Sequence, residues 1–375
     1  MKKFLNHENA SKAMEAAGLT QTAVADALDV SKEAVSQWLN AKSFPRPDKL
    51  LKLGKLLELK LDELVIKEEA DTPLVAFRKM KGTKTKGCHV EKAQDMGHLL
   101  RHLVPYLTFD TIEMPPVLKQ PNCEYEYLQR AACKTRKEIN LGHNDTVDFL
   151  HLIRRFVDLQ AVVIPVLWGD KNRHENAVHI YLPDSQTTWI YLNLDVNVHD
   201  FKFWMAHELG HCLSPSLSGE EAEDFADAFA GALLFPHEKS EKAYRELKNR
   251  TSLKDKVDKL LEFAEDEVIS SYTIFKQVNR YANNADVDPI DLGNRFYARI
   301  TNFNKSYKHV CEALLGDSGN ISAREYIDKS EEIFETPFFE LLRGYLNDSG
   351  KGAGYVQSVL DLPLLDARSL HDELT

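Results

Sequence analysis

The chain has 375 residues, two to three times the commonest domain length of about 100 to 150, and its 43% hydrophobic and 28% charged residues suit an ordinary globular protein. One small module, a disordered chain and a collagen-like chain are excluded. The formal charge of −11, from 47 Lys and Arg against 58 Asp and Glu, excludes a uniformly basic coat for nucleic acid, provided that the charge is evenly spread.

It is not evenly spread. Residues 1–66 contain ten basic and nine acidic side chains and so carry +1, leaving −12 for the remaining 309 residues. Residues 8–17 read as a helix, Thr20 caps a second with Val24, Ala25 and Leu28, and Ser31 caps a third with Ala34, Val35 and Leu39. A fourth apolar series follows the Phe-Pro-Arg-Pro turn at Leu50, Leu51, Leu53, Leu56 and Leu57. Short helices about the tight Leu28–Ser31 turn have the layout of a helix-turn-helix, whose second helix enters the major groove by its N-terminal residues. Trp38, Leu39 and the leucines read as core.

The stretch LTQTAVADALDVSKEAVSQWLNAKSFPRPDKLLKLGKLLELKLDEL resembles the Cro/C1-type, or Xre, helix-turn-helix family. The resemblance implies that Gln21 anchors the DNA backbone and that Ser31, Lys32, Glu33, Ser36 and Gln37 face the groove of double-stranded, operator-like DNA. Gln37 suits an adenine edge and Lys32 a phosphate or guanine. Asp29 stands where the family usually has Gly, and Asp tolerates the left-handed conformation better than most residues.

Residues 67–144 read as a basic linker, with Arg78, Lys79, Lys81, Lys84 and Lys86, and a helical intervening region over Asp95–Tyr106 and Tyr125–Glu138. From 145 the pattern changes to a helix over Thr146–Leu159 and three short strands, Val162–Val166, Ala177–Tyr181 and Thr188–Leu192. A further helix then carries His207-Glu208-Leu209-Gly210-His211, an HExxH motif. Four residues of separation put His207 and His211 on one helical face, with Glu208 beside them toward a water on a metal. Zinc needs a third protein ligand and keeps an open position for water. The next helix, opened by a Ser218–Glu221 capping box and ended by Pro236, offers Glu223 as that ligand. Asp227, one turn on, is placed to accept the remaining ring N–H of a ligand histidine. Glu220, Glu221 and Asp224 are rival ligands, the first two better suited to the helix dipole. Cys212 reads as packing.

FWMAHELGHCLSP followed by GEEAEDFADAFAGALLFP resembles the ImmA/IrrE metallopeptidases over about residues 145–236. In that family the residues at His207, His211 and Glu223 hold the metal, and the one at Glu208 is the catalytic glutamate. The resemblance implies an α+β zincin-like core with a small sheet, a Zn2+ cofactor, and an Xre-type repressor as a protein substrate. An oxyanion would need a further Tyr, His or Arg; the sequence does not choose one, and His174, His179 and His237 stay open.

The rest is mostly helical by periodicity, and nothing beyond about residue 290 singles out a chemistry. The expected organisation is therefore multidomain: an all-α helix-turn-helix head (1–66), the basic linker and intervening region (67–144), an α+β metallopeptidase domain (145–289) and a mostly helical C-terminal region (290–375). Five cysteines without a CxxC pair point to a reducing compartment, and no apolar run of about 18 residues suggests export or a membrane span, so a cytoplasmic location is expected. The leading expectation is a DNA-binding zinc endopeptidase of HExxH type that cleaves a regulatory protein in stress response. The alternative is a transcription regulator or toxin–antitoxin component whose metallopeptidase fold senses or binds a partner, a toxin or a second copy of itself, without proteolysis.

Overall fold

A computed structural model describes residues 3–40, 43–67, 73–77, 87–107, 117–168, 177–293, 307–315 and 321–375, with single positions 296, 299 and 303. The chain divides into two compact units, Met1–Thr72 and Pro73–Thr375.

The first unit contains β1 (Lys3–Leu5), α1 (His7–Ala16), α2 (Gln21–Leu28), α3 (Lys32–Leu39), α4 (Pro47–Leu57), α5 (Leu61–Leu64) and β2 (Val65–Lys67). The expected caps are present: Thr20 Oγ1 accepts from the Ala23 N–H at 3.2 Å, and Ser31 Oγ from the Ala34 N–H at 3.1 Å. Asp29 ends α2 at φ 52°, in the left-handed region that the tight turn requires. Lys49 on α4 donates to the carbonyls of Leu28 (2.7 Å) and Asp29 (3.2 Å), satisfying groups that the end of α2 leaves without helical partners. Val24, Ala25, Leu28, Val35 and Trp38 pack with Leu53, Leu57 and Leu64 into the core. The antiparallel pair β1–β2 adds a small ribbon to the helices, with Leu5 opposite Val65. Three-residue strands are too short to announce themselves by alternation.

In the second unit β3 (Leu74–Phe77) is followed by α6 (Gly87–Leu100), a 3-10 helix (Arg101–Tyr106), α7 (Tyr125–Glu138), α8 (Phe149–Asp158), β4 (Ala161–Val166), β5 (Ala177–Leu182) and β6 (Thr187–Asn193). Then come α9 (Val198–Leu213), α10 (Gly219–Leu234), α11 (His237–Lys248), α12 (Leu253–Glu267) and α13 (Ser271–Asn284). The C-terminal helices are α14 (Val310–Leu315), α15 (Ala323–Phe334), α16 (Phe338–Ser349), α17 (Ala353–Leu360) and α18 (Leu364–Leu374). The strands form one mixed sheet of order β3-β5-β6-β4, antiparallel except for β4 with β6. β3 lies within the stretch read from sequence as linker, whereas Arg78, Lys79, Lys81, Lys84 and Lys86 fall outside the described residues.

Side-chain alternation decides the layering. Val163, Ala177, Ile190 and Leu192 face a core shared with α7 to α13. Val162, Ile164, Val178, Ile180, Trp189 and Tyr191 face the opposite core, built with α6 and α15 to α18. The C-terminal helices thus cover the second face of the sheet. Hydrogen bonds from Trp168 Nε1 to the Leu360 carbonyl and from the Tyr191 hydroxyl to the Val359 carbonyl, each 2.8 Å, fasten α17 there. Among the described residues no helix is long and apolar enough to cross a membrane.

A buried set of cations ties the turn before α8 to this scaffold. Arg136 donates to the carbonyls of Gly142 and Leu233, each at 2.7 Å, and Lys239 to that of Asp145 at 3.0 Å. Lys202 donates to the Val147 carbonyl at 2.8 Å and to that of Glu267. Burial pushes the Lys202 ammonium down to about 8, against the attraction of Asp148 and Glu267.

Candidate metal centre and nucleic-acid face

α9 and α10 cross at Gly210. A Cβ there would lie 3.0 Å from the Ala226 Cα, tighter than ordinary packing allows, so glycine lets the two backbones approach without displacement. Ala226 sits between Glu223 and Asp227, and the crossing therefore delivers both carboxylates to the His207 and His211 face. Ser218 occupies the N-cap of α10, but its side chain makes no capping hydrogen bond. The chain enters through Gly219 at φ 61°, and the exposed Glu220 and Glu221 place negative charge at that helix end instead.

His207 Nδ1 lies 2.9 Å from Asp227 Oδ1, which places the ring proton on that nitrogen and turns Nε2 inward. His207 Nε2 is 3.0 Å from His211 Nε2 and 3.4 Å from Glu223 Oε2, and His211 Nε2 is 3.3 Å from Glu223 Oε1. His207 and His211 are buried, whereas the Glu223 side chain is one-third exposed and faces them from the open side. Burial pushes the Glu223 carboxyl up, but hydrogen bonds and charge from His207 and His211 outweigh it and hold the group at about 2.

Donor chemistry decides whether these residues suit a metal. Among the described residues, His207, His211 and Glu223 form a cluster whose ligand atoms all lie within 4.8 Å of one another. A tetrahedral cation with bonds of about 2.0–2.1 Å keeps its donors about 3.3 Å apart. The two imidazole nitrogens are 3.0 Å apart and lie 3.4 and 3.3 Å from the two different oxygens of Glu223, close to that spacing, and two imidazole nitrogens with one carboxylate suit a divalent transition metal. Asp224, Glu220 and Glu221 are exposed and stand outside the cluster. Cys212 belongs to the apolar core, where burial pushes its thiol pKa up.

Glu208 is fully buried next to the cluster. The fold also brings in His179 from β5, with Nδ1 3.7 Å from Glu208 Oε2 and its ring centroid 5.7 Å from that of His211. Burial pushes the His179 imidazole down to about 3, helped by His211 and His207 and opposed by Glu223, so it is neutral. Of the three histidines left open by sequence, His179 reaches the site, His174 lies outside the described residues, and His237 is engaged by the Tyr125 hydroxyl at 2.9 Å. One signal was available in the strand pattern: position 179 shares the face of Ala177, the face that packs on the motif helices.

In the first unit, Ser31, Lys32, Glu33 and Gln37 are exposed around α3, and Gln21 and Ser36 are half-buried. Gln37 Oε1 accepts from the Ser43 hydroxyl at 3.3 Å, and Ser36 Oγ accepts from Asn40 Nδ2 at the same distance. These contacts pre-orient the polar face without burying it.

A sheet backed by an HExxH helix, with a His-His-Glu cluster, defines a metal-binding, peptidase-type domain. Residues 162–265 match the family model of the IrrE N-terminal-like domain, and residues 11–64 match that of a helix-turn-helix. Both domains are present in this chain, and they imply DNA and a protein as partners. No curated protein and no solved structure matches it.

Proposed function

We propose that the chain is a DNA-binding zinc endopeptidase whose substrate is a regulatory protein such as a repressor. The observation that carries this reading is the convergence of His207, His211 and Glu223, with Glu208 buried alongside and Asp227 on the outer nitrogen of His207. The residues would hold zinc, which when bound supplies Lewis acidity toward a peptide carbonyl and a more acidic water.

The remaining roles belong to the chain. Asp227 fixes the His207 tautomer that leaves Nε2 as a donor atom. Glu208 takes a proton from the attacking water on a carboxylate oxygen and returns it to the leaving amine. Its burial keeps bulk water from competing for that proton. The apolar walls from Phe225, Phe229 and Met205 hold the helices in register. In the head, Gln21 anchors the DNA backbone while Ser31, Lys32, Glu33, Ser36 and Gln37 meet the groove, so that the peptidase is carried to an operator or to a repressor bound there.

The test is metal analysis of the purified full-length chain together with its Glu208→Gln variant. About one zinc per chain is expected in both, with cleavage of a co-expressed repressor partner lost in the variant. A wild-type chain without zinc after native purification, and without affinity on titration, overturns the reading.

A further inference from the structure

His179 comes from a strand, outside the HExxH motif and outside the next helix. It is 7% exposed in the centre of the sheet, and its register neighbours are Ala76 on β3 and Ile190 on β6. An imidazole in such apolar company is costly unless a polar partner meets it. The Glu208 carboxylate stands close enough to serve as one, its Oε2 3.7 Å from Nδ1.

We propose that His179 is a positioning residue for Glu208, donating its Nδ1–H to the Glu208 carboxylate and fixing the plane in which that carboxylate meets the reacting water. The inference rests on the reading of Glu208 as the proton-transferring group. A neutral imidazole carries one N–H and one lone pair. With a carboxylate oxygen on the Nδ1 side, the proton belongs on Nδ1. The 3.7 Å separation is longer than a formed hydrogen bond, as such contacts often are before substrate binds. The same β5 strand is clamped between two neighbours, so its backbone supplies a rigid base for the contact. The His211 ring packs near it, with centroids 5.7 Å apart and planes tilted by 59°.

The experiment has two parts. Long-range 1H–15N correlation on histidine-labelled, metal-free, full-length chain reads the His179 tautomer directly and needs no activity. The Nδ1–H tautomer is expected in the wild type, and both His179 ring nitrogens shift in Glu208→Ala and, less, in Glu208→Gln. The second part compares zinc-loaded His179→Leu and His179→Asn on a pool of quenched fluorescent peptides. Leu keeps the bulk without a donor, whereas the Asn amide stands near Nδ1. His179→Leu is expected to lower kcat roughly 10- to 100-fold with KM and bound zinc unchanged, and His179→Asn to recover most of it. An Nε2–H tautomer insensitive to Glu208, or equal kcat for Leu and Asn, overturns the proposal. If the wild type binds zinc and cleaves nothing in the pool, the peptidase reading fails separately, and the tautomer still decides whether His179 serves Glu208.

Discussion

Gly210 and Ala226 face each other where the motif helix crosses its neighbour, so closely that a Gly210 Cβ would lie 3.0 Å from the Ala226 Cα. Replacing Gly210 by Val forces a branched side chain against the Ala226 backbone, which is expected to cost about 1–3 kcal/mol in urea unfolding. The same displacement pulls Glu223 out of the cluster. Zinc affinity, measured against a competing chelator, is therefore expected to fall more steeply than stability. Unchanged affinity would show that the crossing does not position the carboxylate.

Asp227 acts through His207. Asp227→Asn retains the size but turns a firm acceptor into a weak one at 2.9 Å from Nδ1. A roughly 10- to 100-fold loss of zinc affinity is expected. The Asp227 side chain is 41% exposed, so thermal stability of the metal-free chain should move little. A large loss of stability with normal zinc binding would contradict the role given to it.

Lys202 makes a pH signature available away from the metal cluster. Its folded pKa of about 8 lies below the ordinary lysine value near 10.4, so between these values the unfolded chain binds more protons than the folded one. Stability contributed by this position therefore rises as pH increases from about 8 to about 10. Urea unfolding of wild type and Lys202→Met across that range isolates it. The difference between the two proteins should change with pH in favour of the wild type, and parallel curves would refute the assignment.

In the head, Gln37→Ala removes the group best suited to an adenine edge, and Ser36→Ala removes its half-buried neighbour. Each is expected to weaken binding of the full chain to duplex DNA from its own promoter, Gln37→Ala by about 1–3 kcal/mol. Binding should also fall as salt rises. Competition by unrelated duplexes as strong as by the promoter would exclude operator recognition.

The features legible in sequence are those governed by local periodicity. Thr20 and Ser31 announce helix starts because a hydroxyl three residues before an N–H is a capping geometry that needs no tertiary partner. His207 and His211 share a face for the same reason, being one helical turn apart. Glu223 and Asp227 belong to a second helix, and their turn-to-turn spacing was equally readable. The Ser218 capping box looked as plausible in sequence, yet Gly219 at φ 61° turns the chain so that the serine side chain makes no cap bond.

What sequence alone determined was the identity of the helices that bear the His-His-Glu cluster, the cap-turn-cap layout of the head and the apolar strands between them. Only tertiary structure decided which residues from distant segments join them. His179 reaches Glu208 across 29 positions, β3 adds an edge strand from before α6, and α15 to α18 close the far face of the sheet. Those outcomes depend on strand register and on burial of the sheet's second face. Both are satisfied by contacts between remote residues, and no window of neighbouring side chains contains them.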